Sequence, residues 1–357
     1  MKLPRSVDID LNALQHNFAQ IKQCAKANPI IAVIKSNAYG HGLIRCAKTL
    51  TEADAFGISG IEEAVALRRA GIKQTIIFMN GVIFRENLTL LDELDCELVI
   101  YNRQQLEWLC HTPTKKPLTI WLKLNTGLNR FGFDPSEFEQ VYEQLLRCSH
   151  IKQPINLMTH IAWKDSHYHQ SIQKQFGQFD YCVKGLPGKK SMAKSGMIFS
   201  NQLCADDWLR PGIVLYGVSP YAKQYGSDFN LKPVMHVCSR IIAVRWQKKG
   251  DRLGYNGAWI CDEAMPVGIV AIGYGHGYPL VPASMPLPVL IGNTICTTVG
   301  IAMDVIWIDL RPQPAAKVGD SVTLWGPGLP VEQVASHVKT SPYELLTRIK
   351  GSTVIPI

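Results

Sequence analysis

The chain of 357 residues has no run of eighteen apolar residues, no C-x-x-C pair and no stretch of like charge longer than two residues. The first absence excludes a membrane-spanning helix. The second, with ten cysteines spread from Cys24 to Cys296, excludes a clustered zinc site and argues against a disulfide framework, so no metal is expected and the thiols are read as small core residues. The third removes the usual footprint of a nucleic-acid groove: an excess of 37 basic over 29 acidic residues is dispersed in pairs such as Lys115-Lys116, Lys189-Lys190 and Lys248-Lys249. Such a surface still favours a small anionic ligand. Low-complexity linkers and internal repeats are missing too, and "MKLPRSVDIDLNALQHNF" offers no apolar signal region, so a cytoplasmic location is expected.

What is present is a rhythm. Short apolar runs, "IIAVIK" (30–35), "AFGIS" (55–59), "TIIFMN" (75–80), "ELVIY" (97–101), "LTIWLKLN" (118–125), "INLMTH" (155–160), "KSMAKS" (190–195) and "GIVLYG" (212–217), alternate with stretches of helical spacing such as "IEEAVALRRAGI" and "PSEFEQVYEQLLRC". Eight alternations predict an α/β fold, an N-terminal (β/α)8 TIM-type barrel, with "KSMAKS" its weakest strand. Beyond residue 231 the texture becomes β-like ("SRIIAVRW", "PVGIVAIGYG", "VIWIDL", "SVTLWG"), with one late helical stretch. The expected division is a barrel over 1–231 and a C-terminal mainly β domain over 232–357, closely packed because the joint near "NLKP" is short.

In such a barrel the chemistry sits at the C-terminal ends of the strands. Lys35, Lys123, Arg130, His160 and Ser195 fall there, Arg210 lies just ahead of the eighth run, and all six are expected on one rim. A lysine shielded by apolar neighbours has its ammonium form disfavoured and becomes an amine nucleophile toward a carbonyl. From the strand alone, a lysine snorkelling out of a strand end is the simpler account of Lys35.

The string "AVIKSNAYGHG" (32–42) resembles the cofactor-attachment site of the pyridoxal-phosphate-dependent alanine racemases. The resemblance runs on in order through "LNTGLNRFGF", "MTHIAW", "RPGIVLYG", "LGYNGAW", "GYGHGYP", "VGIAMD" and "YELLTR". It implies pyridoxal 5'-phosphate as cofactor, with Lys35 as its Schiff-base lysine and Tyr39, Ser195, Gly212 and Ile213 at the phosphate. Arg210 is implied beside the pyridine nitrogen. Lys35 and Tyr255 become the two acid/base groups on opposite faces of the substrate, Tyr255 reaching the site of a second subunit, so a homodimer with shared sites is expected. Arg130 and the Met303 backbone are implied at the substrate carboxylate. Tyr274 becomes a channel wall, His160 a hydrogen-bonding partner behind the site, and His276 a channel-side or surface residue. Lys123 aligns with a lysine that is carbamylated in many members; modified and unmodified forms both stay open.

Departures from the family pattern concern access and charge. Asn125 stands for a common aspartate, His276 and Leu280 replace an acid and an arginine, and Ile301 takes the place of another arginine. Gly351 falls near a tyrosine that some members place by the phosphate. The expected activity is interconversion of L- and D-alanine, supplying D-alanine for peptidoglycan. A broader amino-acid racemase, for example one accepting serine, is the nearest alternative, and a non-catalytic cofactor-binding protein a more distant one. Decarboxylases of the same plan would carry an acid where this chain has Arg210.

Overall fold

The computed structural model describes residues 4–162, 169–200, 203–204 and 207–350. Sixteen strands are numbered in chain order. The first eight are β1 (Arg5–Ile9), β2 (Ile31–Val33), β3 (Ala55–Ile58), β4 (Thr75–Phe78), β5 (Cys96–Ile100), β6 (Ile120–Lys123), β7 (Asn156–Met158) and β8 (Lys190–Ser191). Strands β2 to β8 form one parallel sheet in sequence order. Their residues are almost all buried, because helices cover one face and the barrel interior the other. Inside, Ile31, Ala55, Ile77, Val99, Trp121 and Met158 pack together as a layer that fills the barrel.

The eighth stave is not where the pattern placed it. "GIVLYG" is a 3-10 turn over Ile213–Tyr216, and the barrel is closed instead by the segment just before it. Leu209 bridges Ile30 and Arg210 bridges Lys194; the N–H groups of Ile31 and Val33 donate to the carbonyls of Leu209 and Pro211 at 2.8 and 2.9 Å. The run Ile213 to Tyr216 is wholly buried, and over four residues burial looks the same in a strand and a turn. Arg210 therefore lies within the eighth stave rather than ahead of it. "KSMAKS" is regular only over Lys190–Ser191, yet it continues as ladder through the Arg210 N–H to the Ala193 carbonyl.

Helices follow local signals. Asp10 accepts the Ala13 N–H at 2.9 Å and starts Leu11–Ala25, whose Leu14, Phe18 and Ile21 face the core. Asn102 caps Arg103–His111, and Pro135 opens Pro135–Leu146.

The remaining strands are β9 (Met235–Gln247), β10 (Arg252–Leu253), β11 (Trp259–Ile260), β12 (Met265–Val270), β13 (Pro288–Ile291), β14 (Thr294–Ile301), β15 (Ile306–Asp309) and β16 (Ser321–Trp325). The antiparallel order β9-β12-β15-β14-β13-β16 returns to β9 and closes a six-stranded barrel. β1 pairs with β9 over Arg5–Ile9, so the first few residues join the C-terminal sheet although they precede the α/β barrel in sequence. β10 and β11 form a separate small hairpin. Among the described residues no helix is long and apolar enough to cross a membrane, and no group of three or more His, Cys, Asp or Glu is placed to hold a metal ion.

Candidate active site

A cavity of about 660 Å³ opens at the C-terminal rim of the α/β barrel. Eight of the residues singled out from sequence border it: Lys35, Tyr39, Lys123, Arg130, His160, Ser195, Arg210 and Gly212. The strands bring them together from positions as far apart as 35 and 212.

Lys35 leaves β2 into an unusual backbone. Ser36, Asn37, Ala38 and Tyr39 have φ of 54°, 54°, 53° and 53°, a left-handed turn of four non-glycine residues. Each costs about 1–2 kcal/mol against the right-handed form, so the surroundings must hold it. The Ala38 N–H donates to the Ile34 carbonyl at 2.8 Å, and the Leu43 N–H to Asn37 Oδ1 at 2.8 Å. Gly40 ends the turn at φ 83°; a Cβ there would lie 2.3 Å from the Leu346 carbonyl oxygen, so only glycine lets the turn seat on helix Pro342–Arg348. His41 is fully buried against Tyr216, with Nδ1 at 2.9 Å from the carbonyls of Ala38 and Tyr39.

The turn aims Tyr39 across the cavity floor. Its hydroxyl lies 2.7 Å from where a Cβ on residue 212 would be, so any side chain at 212 would have to displace it. Ser195 Oγ accepts the Gly212 N–H at 2.9 Å. Ile213, wholly buried at the start of the 3-10 turn, does not itself border the cavity. Burial raises the Tyr39 hydroxyl well above its ordinary pKa, with Tyr343 adding to the effect, and it stays a neutral donor.

Positive charge dominates the opposite wall. Burial pushes Lys123 down to about 7, helped by Arg210, Arg130 and Lys35. Lys35 is lowered too, first by burial and then by Arg130, against an opposing pull from Glu63. Arg210 is pushed down to about 10 by burial, with Asp207 working the other way, and so remains charged at neutral pH. Its guanidinium donates to Ser191 Oγ and the Thr159 carbonyl; Nε is buried without a partner among the described residues. Asp207 in turn accepts the N–H groups of Met192 and Ala193 at 2.8 and 2.9 Å, bracing the same stave. His160 is lowered well below its usual range, first by burial and then by Arg210, Lys194, Lys123 and Arg130. It borders the cavity as a neutral ring.

Sequence reasoning missed a third wall. Ser341, Tyr343, Glu344 and Thr347 border the cavity from the last helix. Tyr343 packs 5.7 Å from Tyr39, ring centre to ring centre, and burial pushes its hydroxyl up to about 12. The signal was available: Tyr343 and Thr347 are one helical turn apart, on one face, within the quoted "YELLTR". Gly351 lies outside the described residues.

Tyr255, Tyr274 and Met303 do not border the cavity of their own chain. Tyr255 is 75% exposed on the loop between β10 and β11, and Met303 is 53% exposed. The Gly275 N–H donates to the Met303 carbonyl at 2.9 Å and the Tyr274 N–H to the Ala302 carbonyl at 3.0 Å, which sets these two residues side by side. Ile301 ends β14 just before them. His276, in the same turn, is lowered by burial, then by Arg5, and lies 3.9 Å from the exposed Asp304. Asn125 accepts the N–H groups of Gly127 and Asn129 and donates to Asp134, so it shapes the loop that carries Arg130.

An α/β barrel with a cationic cavity, a lysine on its rim and a closed β domain behind it defines a two-part enzyme scaffold. The family model described as alanine racemase, N-terminal domain, matches residues 9–220, and that described as alanine racemase, C-terminal domain, matches residues 234–354. The chain belongs to the alanine racemase family. It is 42% identical to the biosynthetic alanine racemase of Escherichia coli O6:H1 over 96% of both chains. Among solved structures, the biosynthetic alanine racemase from Pseudomonas aeruginosa superposes with a TM-score of 0.93 at 34% identity, covering 98% of each chain. The alanine racemase from Bartonella henselae, described with covalently bound pyridoxal phosphate, matches with a TM-score of 0.89 at 26% identity over 99% of each.

The residues present fit such a group. Two hydroxyls and a glycine backbone converge where a phosphate would sit. An amine with a depressed pKa faces the cavity, and a buried guanidinium borders it with one nitrogen unpartnered among the described residues.

Proposed function

We propose that this protein is a pyridoxal-phosphate-dependent alanine racemase that interconverts L- and D-alanine. In this reading it works in the cytoplasm as a homodimer and supplies D-alanine for peptidoglycan. The observation that carries the reading is the meeting of Lys35, Tyr39, Ser195, Arg210 and Gly212 around one cavity, in a chain matched nearly end to end by one family.

The cofactor, when bound, supplies an electron-withdrawing ring that makes the Cα proton of an amino acid removable. Lys35 would hold it, and the same amine would move a proton on one face of the substrate Cα. Its depressed pKa suits that work, since a base near the working pH is more effective than an ordinary lysine. Tyr39 and Ser195, with the backbone of Gly212 and Ile213, would hold the phosphate. Arg210 stays a donor and would meet the pyridine nitrogen without protonating it, which would keep the ring a modest electron sink. Arg130 offers its fork to the substrate carboxylate, joined by the Met303 backbone of a second copy.

The other face of Cα belongs to Tyr255. Its exposure, with that of Met303, supports a head-to-tail dimer in which the C-terminal domain of one copy completes the cavity of the other. Tyr274 then walls the entry. In this reading residues 1–231 form the cofactor-binding barrel and 232–357 the domain lent to the partner's site, with β1 reaching across to anchor one to the other.

Racemisation of L-alanine, read by D-amino acid oxidase, tests the activity; a panel of other L-amino acids, serine included, tests its breadth. Borohydride reduction followed by peptide mapping tests the attachment. No turnover of alanine, or reduced cofactor on a lysine other than Lys35, would refute the proposal.

A further inference from the structure

Glu63 is a buried carboxylate in the first turn of helix Ile61–Arg69, outside the cavity lining. Its Oε1 accepts the Asn37 N–H at 3.0 Å, while Oε2 accepts the N–H groups of Ser59 at 3.1 Å and Gly60 at 3.0 Å. One side chain thus ties the chain leaving β3 to the left-handed turn leaving β2. A helix cap alone would need only the bonds within residues 59–63; the bond to Asn37, 26 residues away, grips the middle of a strained turn.

The charges around Lys35 give that grip a second consequence. Lys123 faces the cavity from β6 and Arg130 from the loop after it, Arg210 from the eighth stave, His160 from beyond β7, Lys194 from beyond β8, Tyr343 and Glu344 from helix Pro342–Arg348 and Tyr39 from the turn itself. Arg130 repels the Lys35 ammonium, and Glu63 is the acid that attracts it.

We infer that Glu63 is a positioning residue for the cofactor lysine: it locks the Ser36–Tyr39 turn, which sets where Lys35 and Tyr39 point. The inference deepens the reading of Lys35 as the attachment lysine and rests on it for its functional meaning.

The test is competitive acetylation of full-length, cofactor-free protein across pH, with Lys35 read by peptide mass. Glu63→Gln removes the charge and turns an amide N–H2 toward backbone donors. Its Lys35 labelling midpoint is expected at least about half a pH unit below wild type, a roughly threefold change in reactivity at fixed pH. Gln105→Leu breaks a comparable but uncharged brace, in which Gln105 Oε1 accepts the Tyr101 N–H at 3.0 Å, and is expected to leave the midpoint in place. Should Glu63→Gln fail to fold, Glu63→Asp withdraws the carboxylate by one methylene and is expected to shift the midpoint the same way, by less. An unchanged midpoint in the folded Glu63 variant, or an equal shift in Gln105→Leu, overturns the inference. Because acetylation needs no cofactor, a wild-type protein that never captures cofactor on Lys35 would sink the attachment reading separately.

Discussion

The two halves of the proposed site are built in opposite ways. The barrel half is finished within one chain: Lys123 and Arg210 are buried, Tyr39 is held between Tyr216 and Tyr343, and a strained turn is braced from several sides. The C-terminal half leaves Tyr255, Met303 and Leu280 open to water. Such a contrast is costly to maintain without use, because exposed apolar groups and strained backbone each lower the stability of an isolated chain. Under the proposed reading the contrast divides binding from chemistry: the cofactor would have a ready-made cradle, and the second proton-transfer group would arrive only by association.

The largest effect tests that division directly. Lys35→Ala and Tyr255→Phe are each expected to lose about 10²- to 10⁴-fold in racemisation. Equal mixing with subunit exchange makes half of the dimers heterodimers, each with one intact site, and should restore about a quarter of wild-type activity. Absence of recovery, with exchange verified by a tagged subunit, would place both residues in one chain and erase the contrast.

Next comes the cradle. Gly212→Ala puts a methyl group 2.7 Å from the Tyr39 hydroxyl and must displace it. Loss of that one donor is expected to weaken cofactor binding about tenfold, measured by titrating cofactor-free protein, with little change in the melting temperature. An unchanged affinity would mean that Tyr39 does not meet the phosphate.

Lys123 supplies a pH test whose sign separates two states. If unmodified, its pKa in the folded chain is about 7 against an ordinary value of 10.5. Between those values the unfolded chain binds more protons, so stability rises with pH across that window, and the full penalty is felt below it. Lys123→Met is then expected to be more stable than wild type by about 1–2 kcal/mol at pH 7, with the gap closing toward pH 10. Carbamylation would replace the unfavourable ammonium with an anion among arginines, and Lys123→Met would destabilise at pH 7 instead. Denaturant unfolding across pH, with intact mass to count the adduct, decides between them.

The smallest effect belongs to the open half. His276 has an exposed acid 3.9 Å away and a Gly273 N–H at 3.2 Å on Nδ1. His276→Ala is expected to cost no more than about 1 kcal/mol of stability and to change kcat/KM less than about threefold. A loss of a hundredfold would move His276 into the chemistry and blur the line between the halves.

Sequence alone determined much of this protein. Apolar runs of strand length alternating with helical spacing announced the α/β barrel, since buried parallel strands are apolar on both faces. Strand ends followed by polar residues marked Lys35, Lys123 and Arg130 as rim groups. Local signals could not locate the eighth stave, because buried apolar residues look alike in a strand and in the turn at Ile213–Tyr216. Nor could they give Glu63 its reach to Asn37 or bring Tyr343 beside Tyr39, contacts between segments distant along the chain. The depressed amine of Lys123 was beyond them for the same reason: a pKa is set by burial and neighbouring charge, and both exist only once β6, the eighth stave and the Arg130 loop have been folded around one cavity.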